Sequence, residues 1–88
     1  ADQNPTLPYI VYLKDGETAW GSDGRNFLRK DSYLVEFYSA RKDFANQEKI
    51  EKALDSVGIR YDATEIYIEK EKMYLVSFAF DITRKVEN

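Results

Sequence analysis

"KMYLVSFAFDI", Lys72 to Ile82, decides how the rest of the chain reads. Tyr74, Val76, Phe78, Phe80 and Ile82 fall at every second position, while Met73, Leu75, Ser77, Ala79 and Asp81 alternate with them and become small or polar toward the end. A period of two with one strongly apolar side is the mark of a β-strand lying on a core. Just before it, "IRYDATEIYIE" (Ile59 to Glu69) is a second β-rich run, and Lys70 stands near the turn between them, so the two form a hairpin.

Upstream of the hairpin, "RKDFANQEKIEKALDSVG" (Arg41 to Gly58) changes period. Ile50, Ala53, Leu54 and Val57 lie at i, i+3, i+4 and i+7, which predicts a helix with those four residues on its buried face. Asp43 is placed to cap its start and Gly58 to stop its end. Glu48, four residues before Lys52, belongs to a solvated, charge-alternating side. Before the helix, "SYLVEFYS" (Ser32 to Ser39) again alternates, with Tyr33, Val35 and Phe37 on one side. Near the start, "PTLPYIVYL" (Pro5 to Leu13) is apolar on both sides and predicts an interior strand, with Pro8 fixing its beginning.

Between these two strands, "KDGETAWGSDGRNFLRKD" (Lys14 to Asp31) holds three of the four glycines and keeps neither a strand nor a helix period. It predicts a long loop, and loops of that length in small domains are often functional. Glu17, Trp20, Gly21, Asp23, Arg25, Phe27 and Arg29 are the candidate partner-binding residues, the alternative being that Phe27-Leu28 forms a short strand and Trp20 folds down over the core of its own chain. Tryptophan is the side chain most enriched among interface hot spots. "TRKVEN", residues 83–88, predicts a polar tail. The whole is one α+β domain over residues 1–88: a four-stranded, mainly antiparallel sheet with one helix on a face, in the order β-loop-β-α-β-β.

Eighty-eight residues support a single small core, and 43% hydrophobic with 15% aromatic residues is enough to build it. There is no cysteine and no histidine, which removes disulfides, thiol nucleophiles, the commonest general base and most transition-metal sites. No cofactor and no metal site is expected. A net charge of −3 gives no general attraction to polyphosphate, so nucleic acid is not an expected partner, and no apolar run is long enough to make a membrane one. Glu65, Glu69 and Glu71 form the densest acidic group, but interleaved with Lys70 and Lys72 at a turn they read as solvated charges rather than a carboxylate pair for catalysis. "GSDG" has the form of a KH-domain loop without the flanking helices, and "DGETAWGSDG" lacks the alternating oxygen ligands of an EF-hand. The expectation is a protein that is not an enzyme.

Taken in order, "LPYIVYL", the glycine-containing loop with "NFL", "YLVEFYSARKD" and "EKIEKALDSVGIRYDATEIYIEKEKMYLVSFAF" resemble the small head-to-tail connector and tail-completion proteins of tailed phages and prophages of low-GC Gram-positive bacteria. The resemblance spans roughly residues 7–82 and is one of ordered blocks rather than of a catalytic motif. It implies a minor structural protein of the virion without enzymatic activity. Such a protein assembles in the host cytoplasm into a ring, hexameric in the virion, between the neck and the tail tube, with neighbouring neck and tail-tube proteins as partners. Members of the family begin with an additional N-terminal helix before the Pro-Tyr block, which is not present here, so the chain reads as a shortened or processed form. The alternative reading of the residues is a small α+β module or regulator, unrelated to virions, that binds a protein or a small ligand.

Overall fold

The structure, a computed structural model, describes residues 6–22 and 26–87; the side chains of 20–22, 26, 27, 86 and 87 lie outside that description. Four strands and one helix follow one another as β1 (Tyr9–Ser22), β2 (Asn26–Ser39), α1 (Phe44–Ser56), β3 (Asp62–Ile68) and β4 (Met73–Glu87). The sheet order is β1-β2-β4-β3, and every neighbouring pair is antiparallel. The fold is thus the α+β arrangement read from the sequence, with two differences of extent and one of position.

The first difference is at Lys14 to Asp31, where a loop was expected. Residues up to Ser22 and from Asn26 continue the strands as a long hairpin, interrupted only by a bulge between Lys14 and Gly16. Cross-strand pairing satisfies this backbone without needing an apolar period, because the side chains here are charged and pair with one another. The second is residues 83–87, expected as a polar tail. They extend β4, with Thr83 opposite Lys30 and Glu87 opposite Asn26. A 15-residue strand at ~3.3 Å per residue is ~50 Å long, which matches the 51 Å long axis of the molecule.

The third difference is that β1, whose two apolar sides predict an interior strand, stands at the edge of the sheet. Its outer row of backbone groups has no partner strand among the described residues.

Residues directly opposite one another across antiparallel strands share a face. Val35 and Phe37 of β2 lie opposite Phe78 and Val76 of β4, and these four form the core cluster under α1, with Phe78 at 0% exposure, while Leu75 is buried on the opposite face. Ile50 and Leu54 of α1 close over the cluster, and Tyr61 and Phe80 pack at the side. Tyr61 meets Phe78 edge-on at 5.5 Å between ring centres. Ala53 and Val57, expected on the buried face, are exposed, Val57 at 69%. The helix touches the sheet through a narrow i, i+4 stripe and has ended by Ser56, so Val57 belongs to its cap.

Both helix ends are chemically defined. The Asp43 carboxylate accepts from the backbone N–H of Asn46 at 3.1 Å and from its side-chain amide at 2.8 Å, satisfying an otherwise orphaned donor. At the other end the N–H of Ile59 reaches the Leu54 carbonyl and that of Gly58 reaches the Asp55 carbonyl, each at 3.0 Å. This is the Schellman arrangement, and it needs the φ of +75° that Gly58 adopts. The Glu48–Lys52 pair spans 3.8 Å on the open side, as its spacing implies.

Candidate functional site

Beyond the helix-covered core, β1, β2 and β4 continue as a three-stranded blade, and its α1 side carries a lattice of charge. Successive rows across the strands hold Lys14, Tyr33 and Phe80; then Glu17, Asp31 and Ile82; then Ala19, Arg29 and Arg84. The two carboxylates lie side by side between cations. Lys14 Nζ stands 2.8 Å from Glu17 and 3.5 Å from Asp31, Arg29 Nε 3.1 Å from Glu17, and Arg84 Nε 3.3 Å from Asp31. Asp31 is the hub at 3% exposure, and Tyr33 stacks on Phe80 beside it at 5.7 Å.

The electrostatics follow from these contacts. Burial pushes the Asp31 carboxyl up, but the Arg84 hydrogen bond and the Lys14 charge outweigh it and hold the group below its ordinary 3.8. Glu17 is likewise held down, first by the hydrogen bond that Lys14 donates and then by the Arg29 charge, and Lys14 is raised by the same hydrogen bond. A lattice with both signs paired holds three strands in register. Each of its two carboxylates has cations within 4.0 Å among the described residues.

Of the residues singled out in the sequence, Glu17 and Arg29 are brought together in this lattice. Gly21 lies opposite Phe27 and Trp20 opposite Leu28 in the hairpin register, their own side chains lying outside the described residues. Asp23 and Arg25 fall outside the described residues altogether. The candidate segment is therefore the distal half of a β-hairpin rather than an irregular loop.

The sheet face away from α1 was not singled out by the sequence reading. Val11, Leu13 and Leu34 lie together on it near one edge, Leu75, Ile66 and Ile68 near the other. Tyr9 and Tyr38 stack at its end, 4.8 Å apart, and the Tyr38 hydroxyl donates to Glu36 at 3.1 Å. Burial and that hydrogen bond to the carboxylate raise the Tyr38 pKa. An antiparallel sheet covered on one side ordinarily turns a polar face to water. Here the second face is mixed, its apolar row Tyr9–Tyr38–Leu75–Ile66 standing beside the polar row of Glu36, Ser77 and Thr64, and no helix or strand among the described residues lies over it. The signal available for this face in the sequence is β1, apolar on both sides.

Two recesses complete the surface. A groove of about 380 Å³ runs between the first half of β1 and α1, lined by Pro8, Ile10, Phe37, Asn46, Lys49 and Ile50. A wider, more polar hollow lies at the end of α1 beside Val57, Arg60, Asp81 and Ile82. No helix among the described residues is long and apolar enough to cross a membrane. No protein-family model matches the chain, and no curated protein matches it either.

Proposed function

We propose that this chain is a structural subunit of a phage head-to-tail connector, one copy in a ring at the neck–tail junction. The observation that carries the reading is the apolar surface left exposed on the two edge strands, Ile10, Tyr12 and Leu13 on β1 and Ile66 and Tyr67 on β3, since exposed apolar surface of this kind marks interaction sites. The block-wise resemblance of the sequence to connector and tail-completion proteins supplies the particular assembly. The partners are then further copies of the chain and the adjoining neck and tail-tube proteins, met in the host cytoplasm during assembly and kept in the virion. On this reading the chain has no catalytic role, and the distal hairpin from Glu17 to Arg29 is a partner-facing element.

The test is assembly in a phage or prophage that encodes the chain. Deleting the gene should leave filled heads and free tails unjoined, and the wild-type copy should restore joining. Trp20→Ala, in protein shown by circular dichroism to keep its sheet, should fail to restore joining. Glu69→Gln with Glu71→Gln should restore it fully. Joined, infectious particles formed without the gene would overturn the proposal.

A further inference from the structure

We propose that the three-stranded blade beyond α1 opens and closes as a unit of its own, with the Asp31 carboxylate as its latch: neutralising that one group releases the blade while the helix-covered core stays folded. The inference concerns the chain's own fold and does not use the assembly reading above.

Three features place the boundary between the two parts at the row of Lys14, Tyr33 and Phe80. The bulge between Lys14 and Gly16 interrupts β1 there, and a bulge is where a strand bends and its ladder is locally broken. β3 reaches no further than Asp62, opposite Ala79, so the sheet narrows from four strands to three. Ile50 and Leu54, the α1 residues that reach the core, pack on Val35, Phe37, Val76 and Phe78, all on the near side of that row.

Past the boundary apolar burial no longer holds the strands together. Among residues 14–19, 28–32 and 81–85, whose side chains are described, Asp31 alone is buried, and Leu28 and Ile82 are exposed. Regions with few buried apolar contacts open at lower cost than the core and separately from it. The charge lattice therefore carries the closure. Lys14 and Glu17 face Asp31 from β1, Arg29 lies along its own strand, and Arg84 faces it from β4. From the segment after α1, Arg60 stands across the hollow beside Ile82. The reverse face of the blade carries Lys30, Asp81 and Lys85, with Ser32 donating to Asp81 at 2.6 Å.

Lys14, Arg29 and Arg84 thus share two carboxylates. With Asp31 neutral they face Glu17 alone, Arg84 loses the carboxylate to which it donates at 3.3 Å, and like charges on neighbouring strands oppose pairing. The cations hold both carboxyls below their ordinary values, so the closed blade favours the charged forms, and closure weakens as pH falls through those lowered values.

Amide hydrogen exchange followed by NMR on the intact chain reads the two parts separately, because β2 runs between β1 and β4 through both. At neutral pH, Asp31→Asn should lower the protection factors of residues 28–32 several-fold and leave those of 34–38 unchanged. Adding Arg84→Met should return part of the lost protection, since it removes a cation left without its carboxylate; a purely structural contact is not restored by a second deletion. In the wild-type chain, protection at 28–32 should fall at a higher pH than protection at 34–38 as acid is added. Where Asp31→Asn unfolds the chain, that wild-type titration decides. Loss of protection in both segments at the same pH would show a single cooperative unit and overturn the proposal. Wild-type protection at 28–32 in a folded Asp31→Asn protein, or no recovery with Arg84→Met, would equally remove Asp31 as the latch.

Discussion

Phe78→Ala tests the core most directly. Phe78 is the largest side chain with no exposure, held between Val35 and the α1 residues Ile50 and Leu54, with Tyr61 edge-on against its ring. Removing a buried phenylalanine costs about 3 to 5 kcal/mol, from lost transfer energy and from the cavity left behind. The Tyr61 contact adds about 0.5 to 1.5 kcal/mol beyond area, which places this site toward the upper end. An 88-residue domain has a total of roughly 4 to 13 kcal/mol, so the variant stands near the limit of folding. Urea unfolding followed by far-ultraviolet circular dichroism, with a slope of about 1.5 kcal/mol/M, should show the midpoint lowered by ~2 to 3 M. Phe78→Leu, which keeps much of the volume but loses the ring pair, should cost about 1 kcal/mol. Phe44, exposed at the start of α1, is the control, and Phe44→Ala should stay within about 0.5 kcal/mol of the parent. A Phe78→Ala cost no greater than that of Phe44→Ala would refute the placement of α1 on this face of the sheet.

Three further outcomes are expected. Leu54→Ala should lower unfolding free energy by about 1 to 3 kcal/mol and Val57→Ala by less than about 0.5, because the first packs on the core and the second is solvent-exposed; equal losses in urea titrations would restore the wider helix face. Gly58→Ala should cost about 1 kcal/mol through the backbone alone, since a Cβ there meets nothing within 4 Å, and Lys72→Gly should gain a few tenths, since Lys72 has a φ of 53° without being glycine. The Asp31 pKa is lower folded than unfolded, so its contribution is present above about pH 4 and is lost as pH falls through the folded value; Asp31→Asn should flatten that acid limb of melting temperature against pH, and an unchanged limb would remove Asp31 from the account.

Elements that bury one side were legible in the sequence. The alternation through Tyr74, Val76, Phe78 and Phe80 and the helical spacing of Ile50 and Leu54 both record a single helix–sheet interface. The distal hairpin was not legible, because Glu17, Arg29, Asp31 and Arg84 are ordered by pairing with one another across strands, and such pairing leaves no hydrophobic period. Residues 83–87 were misread for the same reason, their strand state being set by β2 and not by their own composition. The edge position of β1 was hidden differently. Apolar residues on both sides of a strand suit an interior position, and β1 carries them at an edge, so its composition alone does not place it in the sheet.

β4 follows the other four described elements in sequence and yet lies in the middle of the sheet, between β2 and β3. Until it is synthesised β3 has no strand to join, α1 has no Val76 or Phe78 beneath it, and only the β1–β2 hairpin can form from local pairing. Folding on the ribosome therefore waits for β4 to clear the exit tunnel, and the β2–β4 pairing, which closes over α1 and β3, is a long-range step. During that interval the apolar β1 run from Tyr9 to Leu13 is exposed in every nascent copy, so growth at low temperature or with a holding chaperone should raise the yield of folded protein more than that of total protein.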